Sequence, residues 1–463
     1  MRYIGVSIIF LTLTLSSFGQ NNLDHGGGDM NISQPSACYG MQDEALINAV
    51  HQSNIDSLFQ AGILQAPIES SVSLMWPLRM SSSLDWNGIG SITNFIDHDT
   101  SSALLIYNCN TARTYDGHRG MDIATWPFPW YLANNNYAEV VASAEGVISF
   151  KVDGQDDDHC QWGLPGTWNA IFIQHCDGST TRYGHMKKNS LTSKVVGDSV
   201  SKGEFLGIVA SSGTSTGPHI HFEIRDANND VIDPNLGSCN PTSSTSLWDS
   251  QRAFREPRLN VNLSHNAKPE HGCPSANEFP HMGNYINPGD SVWLATYFQD
   301  QTMGDTTFVR ILAPDQSVWQ NFQHISPGTY NKSWWWWRRL LPVNGPFGIW
   351  TFEVSYRGDV RRHEFQFGNF PVSNTDLVSP TIDLRVYPNP AHESSTIFLK
   401  SRKSTYLSLE LYDMLGRQID VLHSGNCSAN KEYAFKLENL RAHSLLILRD
   451  ENRIIKRIKI VSE

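Results

Sequence analysis

Residues 214–224 read Thr-Ser-Thr-Gly-Pro-His-Ile-His-Phe-Glu-Ile, and their alternation constrains the chain more than any other stretch. As a β-strand from His219, a period of two puts His219, His221 and Glu223 on one face and Ile220, Phe222 and Ile224 on the other. The second face must then be buried in apolar packing, and the first carries two imidazoles. Gly213, Gly217 and Pro218 end the preceding loop and let backbone come close to a ligand. Far upstream, Gly117-His118-Arg119-Gly120-Met121-Asp122 supplies a His-x3-Asp pair. On a helix that spacing would share a face, but Gly117 and Gly120 interrupt it, so the pair belongs on a loop entering a strand. A catalytic zinc takes three ligands from His, Asp or Glu and keeps a fourth position for water. His118 and Asp122 with one of the two downstream histidines complete such a set. Using both would close the site, so one of the pair must stand off the metal.

Between these two pieces lies Arg182-Tyr183-Gly184-His185-Met186. The three motifs, in this order, resemble the lysostaphin and LytM type of zinc endopeptidase, over residues 73–242. The resemblance implies that His118, Asp122 and His221 ligate Zn2+, with His185 and His219 left beside the metal as catalytic acid/base and oxyanion-stabilising groups. It implies hydrolysis of amide bonds in peptidoglycan peptide cross-links. Gly-rich extracellular proteins such as elastin stand as the alternative target, and a non-catalytic cell-surface binding or activator protein as the alternative class. Relatives of that last kind have lost ligands, whereas every position is filled here.

Residues 1–19 read as a secretory signal peptide: Met1-Arg2, an apolar run too short for a spanning helix, then Ser17-Phe18-Gly19 before polar residues. No later stretch has the length and apolarity of a membrane span. The net charge of -11 argues against a nucleic-acid partner, which needs a basic footprint. Export permits disulfides among Cys38, Cys109, Cys160, Cys176, Cys239, Cys273 and Cys427, and an odd count of seven leaves at least one over or paired between chains.

Residues 20–72 form a leader, polar and Gly-rich at Gly26-Gly27-Gly28, then near-helical in apolar spacing over 41–64. A packing appendage and a pro-segment covering the groove are both open readings; latent members of the resembled family use an N-terminal segment in the second way. From residue 73 the signals are β-like. Asp177-Gly178 marks a hairpin between 170–174 and 180–183, which leaves His185 just beyond a strand end. The expected fold is all-β, with an antiparallel peptidase domain at 73–242. Residues 125–137 and 153–168 are long loops expected to wall the cleft. Trp126, Phe128 and Trp130 read as core covers or as substrate platforms, and Asp156-Asp157-Asp158 as a solvated loop or a calcium site. The Ser/Thr-rich 238–250 reads as a linker.

Residues 255–370 show strands with Pro and Gly turns, as in an immunoglobulin-like β-sandwich. In its run Trp334-Trp335-Trp336-Trp337, strand alternation sends two rings in and two out, toward glycan or toward the peptidase domain. A second linker at 370–381 leads to residues 382–463. Their Tyr387-Pro388-Asn389-Pro390 opening, Tyr412-Asp413-Met414-Leu415-Gly416-Arg417 and basic-apolar end resemble the C-terminal sorting domain of type IX secretion cargo, a small β-sandwich. This implies the type IX machinery as partner and a secreted or cell-surface location.

Overall fold

The strand from His219 to Arg225 runs through the middle of an eight-stranded sheet, and its neighbours explain its register. The computed structural model describes residues 25–30, 41–69, 71–161, 167–368, 382–387, 395–401, 403–413, 418–437, 443–450 and 453–461. The expected signal at 1–19, the connection at 370–381 and Cys38 lie outside the described residues. His219–Arg225 pairs antiparallel with Met121–Thr125 on one side and Thr180–Gly184 on the other. Ile220, Phe222 and Ile224 are fully buried in the main core, each worth about 1.5–3 kcal/mol of burial. A slip of one residue would exchange them for His219, His221 and Glu223, so this burial fixes which face carries the histidines.

The Asp177-Gly178 turn joins Ala170–Gln174 to Thr180–Gly184 as a hairpin, as expected. Ala138–Val141 and Gly146–Val152 do not pair with each other. The first joins a small sheet with Phe205–Ile208 and Leu78–Met80, and the second pairs with Ala170–Gln174 in the large one. The chain is thus all-β. Among the described residues, α-helix is confined to Met41–Gln60 and Pro129–Asn134. Neither is long and apolar enough to cross a membrane.

The described residues divide into two compact units, one ending at Gly368 and one within Asn369–Glu463. In the first unit, Arg258–His265, Ser291–Gln299 and Lys332–Leu340 make one sheet of a sandwich. Thr306–Leu312, Val318–Ile325, Gly348–Tyr356 and Asp359–Phe367 make the other, edged by Tyr285–Ile286. Trp335 and Trp337 enter the sandwich core. Trp334 and Trp336 face the other way and are also buried, packed in a cluster that includes Trp126, Phe128 and Tyr297. All four rings are therefore covered, and Trp126 and Phe128 are interface residues rather than platforms. The Trp126 indole N–H donates to Phe298 O at 3.1 Å, and the Asn260 amide donates to Trp126 O at 3.1 Å. A disulfide between Cys160 and Cys273 crosses the same boundary, and a second joins Cys109 to Cys239. Cys176 and Cys427 are free thiols.

The Ser/Thr-rich 238–250 is no simple linker: Trp248 is buried in the main core and bridges to Leu74. In the second unit, Ile382–Tyr387, Thr396–Ser401 and Glu432–Lys436 form one sheet, and Gln418–Cys427, Thr405–Asp413, His443–Asp450 and Arg453–Val461 another. Leucines such as Leu384, Leu399, Leu409 and Leu446 fill its core.

Candidate metal centre

His221 and Asp122 face each other directly across two paired strands. His221 Nδ1 lies 2.9 Å from Asp122 Oδ1. His118, on the loop before that strand, brings Nε2 to 3.2 Å from Asp122 Oδ2. Ligand atoms of these three residues all lie within 4.8 Å of one another, and all three side chains are buried. Gly120 makes the approach possible, because a Cβ there would lie 2.6 Å from the His221 ring.

Outer contacts orient each donor. His118 Nδ1 donates to Phe95 O at 2.8 Å, which turns Nε2 toward Asp122. His221 Nε2 lies 3.3 Å from a Glu223 carboxylate oxygen, which leaves Nδ1 for the site. The Asn94 amide donates to Asp122 Oδ2 at 2.8 Å. Burial alone would favour the neutral acid at Asp122. The charges of His118 and His219 and the hydrogen bonds of His118 and His221 outweigh it, holding the carboxyl well below the usual range. Glu223 follows the same logic: burial raises it, but His221, Arg225 and Arg182 together keep it far below an ordinary glutamate. Two imidazoles with fixed outer hydrogen bonds and one ionised carboxylate are a donor set that fits zinc.

The two other predicted histidines stand beside this set. His185 follows Thr180–Gly184 and takes φ +62°, a left-handed conformation uncommon for a residue with a side chain. Its Nδ1 donates to Ser212 O at 2.6 Å, leaving Nε2 buried with no protein hydrogen bond. His219 Nδ1 donates to Gly217 O at 2.8 Å, and its Nε2 lies 3.6 Å from Asp122 Oδ1. The His185 and His219 ring centroids are 4.4 Å apart. Trp168 lies edge-on to His185 at 5.1 Å and tilted beside His221 at 5.7 Å.

All five residues singled out from the sequence thus converge. Sequence reasoning missed Asn94, Trp168 and the carbonyls of Phe95 and Ser212. The helical spacing read over 41–64 forms a helix at Met41–Gln60, but its place beside the site was not legible: its Ile47 packs in one cluster with Phe150, Trp168 and Phe172. Glu44 on that helix contacts Arg225 at 2.9 Å and Arg119 at 2.5 Å, and Asn48 accepts from Arg182 at 3.0 Å. His51 contacts Ser149 Oγ at 2.9 Å and is held down to about 3, first by burial and then by the charges of Arg182 and Arg225.

Residues 116–234 match the peptidase family M23, and residues 385–458 match the secretion system C-terminal sorting domain. The DD-carboxypeptidase/endopeptidase Mpg of Neisseria meningitidis is 42% identical over 87 residues, which are 19% of this chain and 17% of that protein. The peptidoglycan DD-endopeptidase ShyA of Vibrio cholerae is 40% identical over 60 residues, 13% of each chain. The similarity therefore spans only a small part of each relative's length. Among solved structures, the catalytic domain of the prophage-encoded M23 protein EnpA from Enterococcus faecalis is 26% identical, covering 30% of this chain and 95% of that one with a TM-score of 0.20.

Proposed function

We propose, from the LytM-type M23 peptidase domain that this chain carries together with a type IX sorting domain, that it is a secreted zinc endopeptidase cleaving peptidoglycan peptide cross-links. The observation that carries this reading is the buried triad of His118, Asp122 and His221, with the basic nitrogens of two further histidines beside it. His118 Nε2, the Asp122 carboxylate and His221 Nδ1 would hold the ion. Zinc, when bound, supplies Lewis acidity toward water and the scissile carbonyl. His185 and His219 each keep a proton on Nδ1 through a backbone carbonyl, so Nε2 is the reactive atom of both. These two nitrogens take up the proton of the attacking water and return it to the leaving amine, and in protonated form they donate to the developing oxyanion. Trp168 packs beside His185 and limits its rotation.

The names of the relatives, which include a peptidoglycan DD-endopeptidase, favour a cell-wall substrate. The deciding experiment incubates the purified chain with whole sacculi and, in parallel, with Gly-rich extracellular protein, then identifies the bond cut. Stoichiometric zinc and chelator-sensitive cleavage of sacculi are expected. Cleavage of the protein alone would move the substrate assignment, and no cleavage by a zinc-loaded chain would reduce it to a binding module.

A further inference from the structure

His25–Asp29, the short strand His-Gly-Gly-Gly-Asp, lies antiparallel along Lys332–Leu340, the strand that carries the four tryptophans. The register sets Gly26 opposite Trp336, Gly27 opposite Trp335 and Gly28 opposite Trp334. Each glycine is required for a separate reason. A Cβ on Gly26 would lie 2.8 Å from the Trp336 ring. One on Gly27 would lie 2.1 Å from the Trp334 carbonyl oxygen, a backbone atom that cannot move aside, and Gly27 also has φ +136°. Gly28 has open space around it but φ +147°, which residues with side chains rarely adopt. Asp29 completes the motif, with its charge supporting that of the buried Lys332.

The receiving edge does not depend on this guest. Lys332–Leu340 pairs with Ser291–Gln299 at nine consecutive positions on its other side, and its four rings are anchored in two cores. Without the guest it would present a row of backbone N–H and C=O groups, a template for an added strand. The guest is short and Gly-rich, so ordering it costs more backbone entropy than ordering other residues.

We infer that the Lys332–Leu340 edge is a peptide-binding site selective for three consecutive glycines followed by an acidic residue, and that His25–Asp29 occupies it in cis. An extended peptide of that sequence from another molecule binds in the same register when the leader is displaced. The site lies on a strand of the sandwich and does not rest on the peptidase reading.

The test uses the full chain, treated with chelator so that hydrolysis plays no part. Gly27→Val cannot dock and should vacate the edge. A fluorescent His-Gly-Gly-Gly-Asp peptide should bind this variant about tenfold or more tighter than the wild-type chain, whose tethered leader competes at high effective concentration. A peptide with Ala in place of the middle Gly should bind about tenfold or more weaker than the parent. Amide exchange over residues 332–340 should quicken in Gly27→Val and slow again with added parent peptide. Equal binding to wild type and variant, equal binding of the two peptides, or unchanged exchange would each overturn the proposal.

Discussion

His221 Nδ1 sits 2.9 Å from Asp122 Oδ1, with the two residues paired directly across neighbouring strands, whereas His219 Nε2 stands 3.6 Å from the same oxygen. The buried group that could hold a metal ion thus includes His221 and leaves His219 at its margin. His221→Ala should lose both zinc and activity, because two ligands remain. His219→Ala should keep its zinc and lose turnover by about 10²- to 10⁴-fold, as for a removed acid/base group. Metal analysis beside kinetics checks this; an empty site in His219→Ala with a loaded His221→Ala would reverse the assignment.

Asn94 touches Asp122 but belongs to no motif, and its contact is made from the neighbouring strand Gly90–Asn94. Removing a partner that orients a ligand costs about 10- to 100-fold in metal affinity or activity. Asn94→Ala should therefore weaken zinc binding by that order while the chain stays folded, read by competition with a chromogenic chelator. Unchanged affinity would make Asn94 a packing residue.

What the sequence made legible follows from short-range periodicity. The alternation of Ile220, Phe222 and Ile224 determined the face of His219, His221 and Glu223, and Gly117 and Gly120 placed His118 on a loop. Asn94 and the carbonyls of Phe95 and Ser212 were not legible, because they reach the site through tertiary contacts that leave no local pattern. The Trp run shows a different limit. Alternation correctly splits Trp334 and Trp336 from Trp335 and Trp337, but both faces are interior because a second layer of aromatic packing covers the outer one. Trp248 was hidden for the opposite reason: a single buried ring in a Ser/Thr-rich stretch anchors a segment whose composition reads as a linker.

The helix Met41–Gln60 links its Glu44 to Arg119 and Arg225, on the two segments that carry His118, Asp122 and His221. We propose that it restrains the enzyme as a pro-segment. Deleting residues 20–65 should raise kcat/KM at unchanged zinc content. Equal activity in both forms would leave the helix as a packing appendage.

The second unit is proposed to direct export. Removing residues 382–463 should leave the protein in the periplasm with its peptidase activity retained, followed by fractionation and immunoblotting. Normal release of the truncated chain would sink this reading.

Glu278 offers a pH test of the boundary between sandwich and peptidase. One carboxylate oxygen accepts the Tyr131 N–H at 2.7 Å, while the other is buried with no hydrogen-bond partner. Burial raises this carboxyl to about 8, against the lowering effect of the Tyr131 and Trp130 N–H groups. The folded protein therefore holds a proton that the unfolded chain releases near its ordinary value of 4.5. Stability from this group is fully present below that value and is lost as pH rises toward 8, with no further loss above it. Glu278→Gln keeps an acceptor for Tyr131 and cannot ionise. The variant and the wild type should melt together near pH 4.5. By pH 8 the variant should lead by about 1 °C or more, the shift expected from about 1 kcal/mol in a unit that runs to Gly368. Differencing the two proteins at each pH cancels the buried histidines, whose titration both share. A gap that stays constant from pH 4.5 to 8 would mean that Glu278 ionises normally in the folded chain.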